Sequence, residues 1–127
     1  MKLNIDCVRD VLLELESFPM GSCSIESFEN SINKYGRDDV TYTLMKLIEA
    51  RYINAKYQRS ITGDIRFMDF YDMTFQGHEF LEKIRSDTVW NQKLKPVFTT
   101  IGSMSLEVIS SVANSAITSL VLTKLGL

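Results

Sequence analysis

Hydrophobic positions recur along this chain with two different periods, and the change of period marks the elements. Ile5, Val8, Val11, Leu12 and Leu15 fall at helical spacing behind Asn4, a residue suited to an N-cap, with Asp6 in the first turn. This predicts an amphipathic helix over residues 5 to 17, stopped by Phe18-Pro19-Met20-Gly21. Phe28, Ile32 and Tyr35 predict a second, shorter helix ending at Gly36. Val40, Leu44, Leu47 and Ile48 form the core stripe of a third helix running to about Ala50, for which Asp38 or Asp39 offers a cap. The period then drops to two. Ile53, Ala55 and Tyr57 alternate with Asn54, Lys56 and Gln58; beyond Thr62-Gly63-Asp64, Ile65, Phe67, Asp69 and Tyr71 alternate with Arg66, Met68 and Phe70. That is a β-hairpin, with Ile65, Phe67 and Tyr71 expected on one side and Met68 and Phe70 on the other. Thr74 caps a fourth helix through Phe75, Phe80, Leu81 and Ile84 toward Val89 and Trp90, and Pro96 marks a later break.

A last stripe, Leu106, Ile109, Val112, Ala113, Ala116, Ile117, Leu120 and Val121, predicts a C-terminal helix capped by Ser105. The order helix, short helix, helix, hairpin, helix specifies an α+β class, mainly α: a winged helix-turn-helix with a two-stranded wing and an additional C-terminal helix. The expected organisation is a winged-helix domain over residues 1–95 and a C-terminal helix over 104–125 that serves oligomerisation or covers the wing; Lys95 to Ser103 is the linker.

Several motifs carry a resemblance. They are the opening Met1-Lys2-Leu3-Asn4-Ile5-Asp6 with Val8-Arg9-Asp10, Tyr42-Thr43-Leu44 to Leu47-Ile48-Glu49-Ala50, and Met73-Thr74-Phe75-Gln76-Gly77-His78-Glu79-Phe80-Leu81 followed by Ile84-Arg85-Ser86-Asp87-Thr88-Val89-Trp90. Together they resemble a domain-of-unknown-function family of small winged-helix proteins found in Gram-positive bacteria, their prophages and phages. The likeness covers roughly residues 1 to 112, including Ser105-Leu106-Glu107-Val108-Ile109. It implies the fold and a phage or mobile-element setting, and no established activity.

Composition narrows the function. With 127 residues, 45% hydrophobic and 24% charged, the chain has the makings of one globular domain, and its net charge of -2 removes the usual starting point for nucleic-acid binding. Any DNA contact must come from local charge. Residues 31 to 70 hold seven basic residues against five acidic ones, whereas residues 1 to 30 hold two against six. The expected DNA surface is the third helix and wing: Arg37, Thr41, Tyr42, Met45, Lys46, Lys56, Arg59 and Arg66, with Met45 lying off the buried stripe. Asp38 and Asp39 weigh against it, since carboxylates at a helix N-terminus repel phosphate. On this reading the chain is a transcriptional regulator. The competing reading is a phage-encoded module that inhibits or redirects a host factor, such as a defence system, through the acidic first helix or the wing aromatics.

The C-terminal helix supports association. Ser111, Asn114, Ser115, Thr118, Ser119 and Leu122 make a small, uncharged face, expected to pack against a second copy in a homodimer. No catalytic group, metal or cofactor is expected. His78 is the single imidazole and reads as a structural side chain holding a hydrogen bond, Cys7 and Cys23 are too few and too far apart for a zinc site, and the six glycines form no phosphate loop. Gly77 reads as a close helix contact and Trp90 as a core anchor. The chain shows no apolar leader and no run of about eighteen apolar residues, so a cytoplasmic protein without a membrane partner is expected.

Overall fold

A computed structural model of the chain describes residues 2–96 and, beyond them, positions 111 and 114. Asn4 opens α1 (Ile5–Ser17) as its cap, its side-chain oxygen accepting from the backbone N–H groups of Asp6 and Cys7 at 3.0 and 3.3 Å. Those donors have no helical carbonyl within reach, so the cap satisfies what the first turn otherwise leaves to water. Cys7, Val8, Val11, Leu12 and Leu15 are buried along one stripe. Burial pushes the Cys7 thiol up to about 11, a hydrogen bond from Thr43 at 3.3 Å opposing it only in part.

A single 3-10 turn (Ile25–Ser27) leads into α2 (Glu29–Tyr35), and Gly36 alone joins α2 to α3 (Arg37–Glu49). So abrupt a junction needs the left-handed φ of 88° that glycine adopts without strain. It also overturns the expected cap: Gly36 occupies the N-cap position, and Asp38 and Asp39 lie in the first turn of α3 instead. There their charges still complement the helix dipole. The start of α2 is capped from another helix, for the Glu14 carboxylate on α1 accepts from the backbone N–H groups of Asn30 and Ser31 at 3.1 and 3.0 Å.

The hairpin is β1 (Ile53–Arg59) paired antiparallel with β2 (Ile65–Met73). Its register differs from strict alternation. Ile53 faces Met73 but Ala55 faces Phe70, and Lys56 faces Asp69 while Tyr57 faces Phe67, so Tyr71 and Met68 are extra residues bulged from β2. Each bulge shifts the side-chain phase by one. Phe70 and Met73, three apart, are therefore both buried, and Tyr71, expected to share a face with Ile65, is 48% exposed. The side chains of Phe67 and Met68 lie outside the described residues. Cys23 adds a third element to the sheet, exchanging backbone hydrogen bonds of 2.9 and 2.8 Å with Phe70 on the edge of β2 away from β1.

Thr74 caps α4 (Phe75–Ile84) by accepting from the Gly77 N–H at 3.0 Å, while its hydroxyl donates to the Arg51 carbonyl at 2.7 Å. This helix ends at Ile84, earlier than the expected run to Trp90. Arg9 terminates it: the guanidinium donates to the carbonyls of Ile84 and Arg85 at 2.9 and 2.7 Å and pairs with Asp87. A one-turn α5 (Asp87–Val89), capped by Ser86, then opens into a π-helical turn over Trp90–Leu94. Trp90 is buried, as expected, and its indole N–H donates to Asp6 at 3.0 Å.

The core runs from α1 through Phe18, Phe28 and Phe70, whose rings meet edge to face at 5.1 and 5.2 Å. On the other side Tyr52 stacks on Phe80 at 4.8 Å. The described chain is an α+β arrangement, mainly helical, in a layout consistent with a winged helix. The expected C-terminal helix lies outside the described residues except for Ser111 and Asn114, both helical and exposed.

Candidate functional site: the cleft between the third helix and the wing

Helix α3 turns one face to the core and another toward the hairpin. Val40, Leu44 and Leu47 join the core cluster, while Thr43 meets Cys7 of α1. Along the hairpin side lies a cleft of about 610 Å³, walled by Thr41, Tyr42, Met45 and Lys46 of α3 and by Arg59 and Ile65 of the wing, with Asp38, Asp39 and Glu49 also lining it. Five of the eight residues expected to contact DNA thus share one cleft: Thr41, Tyr42, Met45, Lys46 and Arg59. The other three do not line it. Arg37 pairs with Glu26 at 3.1 Å, and Lys56 and Arg66 stand exposed on the hairpin.

Burial within the cleft differs from expectation at Met45, which is only 3% exposed. Helix α3 is thus covered at Met45 as well as along its Val40–Leu44–Leu47 stripe, while Tyr42 and Lys46 beside it stay half-buried and Glu49 is exposed. Lys46 is also occupied: its ammonium pairs with Glu49 at 3.1 Å and lies 5.4 Å from the Tyr42 ring centre. Three carboxylates and two cations line the cleft, a balance that repels phosphate more than it attracts it.

The family to which this site belongs is visible at the level of sequence. The model of the DUF2513 family, described as a hypothetical protein, matches residues 2–104. The chain belongs to the DUF2513 family. A similar protein from Haemophilus influenzae, itself uncharacterised, is 32% identical over 117 residues, covering 92% of this chain and 96% of that protein. No solved structure matches the chain. The matched span takes in α1 to α5, so the cleft lies within the DUF2513 body.

The acidic first helix, by contrast, is not an open surface in this DUF2513 chain. Asp6 accepts from Trp90 and from Lys95 at 3.1 Å, Asp10 from Lys34 at 2.9 Å and from Tyr35, Glu14 from two backbone N–H groups, and Glu16 pairs with Arg85. Every carboxylate of α1 is engaged inside the domain. The hydrogen bond from Arg85 holds the Glu16 carboxyl below its usual range, and burial, with Asp10 beside it, pushes the Tyr35 hydroxyl up.

His78 is exposed and makes no side-chain hydrogen bond among the described residues, contrary to the structural bond expected of it. No group of three His, Cys, Asp or Glu among the described residues is placed to hold a metal ion, and none of the described helices is long and apolar enough to cross a membrane. Of the expected dimer face, Ser111 and Asn114 are exposed; Ser115, Thr118, Ser119 and Leu122 lie outside the described residues. Sequence reasoning missed Asp38, Asp39, Glu49 and Ile65 as cleft residues. The sequence shows Asp38 and Asp39 as carboxylates that repel phosphate at the start of the third helix, but carries no sign that they line a cleft with the wing.

Proposed function

We propose that this DUF2513 protein is a non-enzymatic winged-helix module that binds a partner protein through the α3–wing cleft, a cytoplasmic binding role suited to a phage or mobile-element protein that redirects a host factor. The observation that carries it is Met45. Its burial takes away one of the side chains that a recognition helix would offer to a major groove, while Tyr42, Met45 and Ile65 give the cleft an apolar floor within a charged rim. The winged-helix assignment is supported by element order and by the Cys23 bridge, which adds a short strand ahead of α2 to the hairpin. A phage setting is supported by the family resemblance alone. The non-catalytic role is supported by His78, which lies outside the cleft.

DNA regulation is the second reading, and one observation favours it. Lys56, Arg59 and Arg66 are exposed and make no ion pair among the described residues, so the wing offers cations to phosphate. Against this, Asp64, Asp69 and Asp72 on the same hairpin balance them one for one.

The cleft is tested by capture from host lysate with the wild-type chain and with Asp38→Lys/Asp39→Lys, after circular dichroism shows both folded. The wild type is expected to retain a stoichiometric partner and the variant about tenfold less, a difference of ~1.4 kcal/mol. Equal capture by the two proteins removes the cleft as the binding surface.

A further inference from the structure

Asp38, Asp39, Tyr42, Met45, Lys46 and Glu49 line the cleft from α3, and residues three or four apart on a helix share a face. Tyr42 stands between two kinds of charge. One turn toward the C-terminus, the Lys46 ammonium lies 5.4 Å from its ring centre and is already paired with Glu49 at 3.1 Å. One turn toward the N-terminus stand the carboxylates of Asp38, exposed, and Asp39, half-buried. Met45 and Ile65 supply the apolar floor beside the ring.

Pairing within the cleft leaves an acidic excess. Lys46 and Glu49 answer each other, so Asp38 and Asp39 remain against Arg59, and no ion pair joins Arg59 to either of them among the described residues. Neighbouring cations do not reverse this. Arg37 is paired with Glu26 at 3.1 Å, Lys56 has Asp69 opposite it in the sheet, and Arg66 shares the hairpin with Asp64.

We propose that Asp38, Asp39 and Tyr42 take an arginine side chain of the partner protein, with an apolar residue next to that arginine resting on Met45 and Ile65. This rests on the cleft being the partner-binding surface and names the chemistry that fills it. A guanidinium suits these three groups better than an ammonium, because its planar fork pairs with carboxylates while its face stacks on a ring. Tyr42 already meets one cation, its own helix's Lys46, so its ring is placed for such a contact. An acidic segment would instead bring its charge against the two aspartates.

The test uses the full chain and a fluorescein-labelled octapeptide of alternating arginine and leucine, read by anisotropy. Saturable binding below about 1 mM is expected, and none by the same peptide with glutamate in place of arginine. Asp38→Asn/Asp39→Asn is expected to weaken binding about tenfold and Tyr42→Leu about threefold. Glu29→Gln/Glu79→Gln removes two exposed carboxylates outside the cleft and is expected to leave binding unchanged. Absence of arginine-peptide binding at that concentration overturns the proposal, as does equal weakening by the two double variants, which would make binding a matter of net charge. Self-association seen by light scattering and abolished by Asp38→Asn/Asp39→Asn overturns it in favour of a second copy. Lysate capture lost in Asp38→Lys/Asp39→Lys, with no binding of the arginine peptide, would keep the cleft as the binding surface and discard the arginine.

Discussion

Gly77→Ala is expected to lower the unfolding free energy by about 3 kcal/mol, the upper end of overpacking costs, and to drop the melting temperature by roughly 15 °C. A Cβ at this position would stand 2.2 Å from the Tyr52 carbonyl oxygen and 2.6 Å from Cγ of Met73. The Met73 contact can yield by a rotamer change. The Tyr52 contact is backbone, and that same carbonyl accepts the Thr74 N–H at 3.0 Å, so moving it loosens the seat of α4 as well. Thermal melting followed at 222 nm reads the effect, with the exposed Gln76→Ala as control, expected within about 0.5 kcal/mol of wild type. A Gly77→Ala protein melting within about 2 °C of wild type would mean that α4 does not sit this close to Tyr52.

Phe70→Ala is expected to cost about 4 kcal/mol, within the range for truncating a buried phenylalanine. Phe70 has no exposed surface, and its ring meets Phe28 at 5.2 Å. It is also the residue where three chain segments meet: its backbone bridges Cys23 on one edge and pairs with Ala55 on the other. Removing the ring leaves a void between α1, the 3-10 turn and the sheet that backbone hydrogen bonds prevent from collapsing. The urea midpoint of Phe70→Ala against wild type, at unchanged m-value, measures this. A loss below about 1.5 kcal/mol would place Phe70 nearer the surface than its burial indicates.

Much of the fold was legible in local pattern because the deciding interactions are local. Asn4 and Thr74 cap helices a few residues away, the α1 and α3 stripes repeat at helical spacing, and Trp90 follows from size and apolarity. What escaped depends on contacts distant in sequence. Glu14 capping α2 and Arg9 closing α4 act across 17 and 75 residues, and neither leaves a periodic trace. The Cys23 bridge is one residue long and has no period at all. Each bulge shifts the side-chain phase by one without any glycine to announce it, so strict alternation did not show that Phe70 and Met73, three apart, are both buried.

The cleft was half legible. Thr41, Tyr42, Met45 and Lys46 are brought together by helical spacing alone, and Arg59 joins them through the hairpin. Burial of Met45 was not, because its place on the helix puts it off the Val40–Leu44–Leu47 stripe and cover from outside the helix leaves no periodic trace. Pairing of Lys46 with Glu49 was available from their i, i+3 spacing. Once that pair forms, the cation expected to read DNA is already answered by its own helix, which moves the reading from a nucleic-acid surface to a protein one.

The measurement that separates these surfaces most directly is anisotropy of a labelled random-sequence DNA duplex with the purified chain, across salt from about 50 to 300 mM. A buried Met45, a Lys46 already paired with Glu49 and a charge-balanced wing predict no binding at the lowest salt and no salt slope. Contacts from Lys56, Arg59 and Arg66 to three phosphates would instead give a log–log slope near −2.7, at about −0.9 per contact. A slope of that size, falling to about −1.8 in Arg59→Ala, would contradict the protein-binding assignment of the cleft and make the wing a DNA-binding surface.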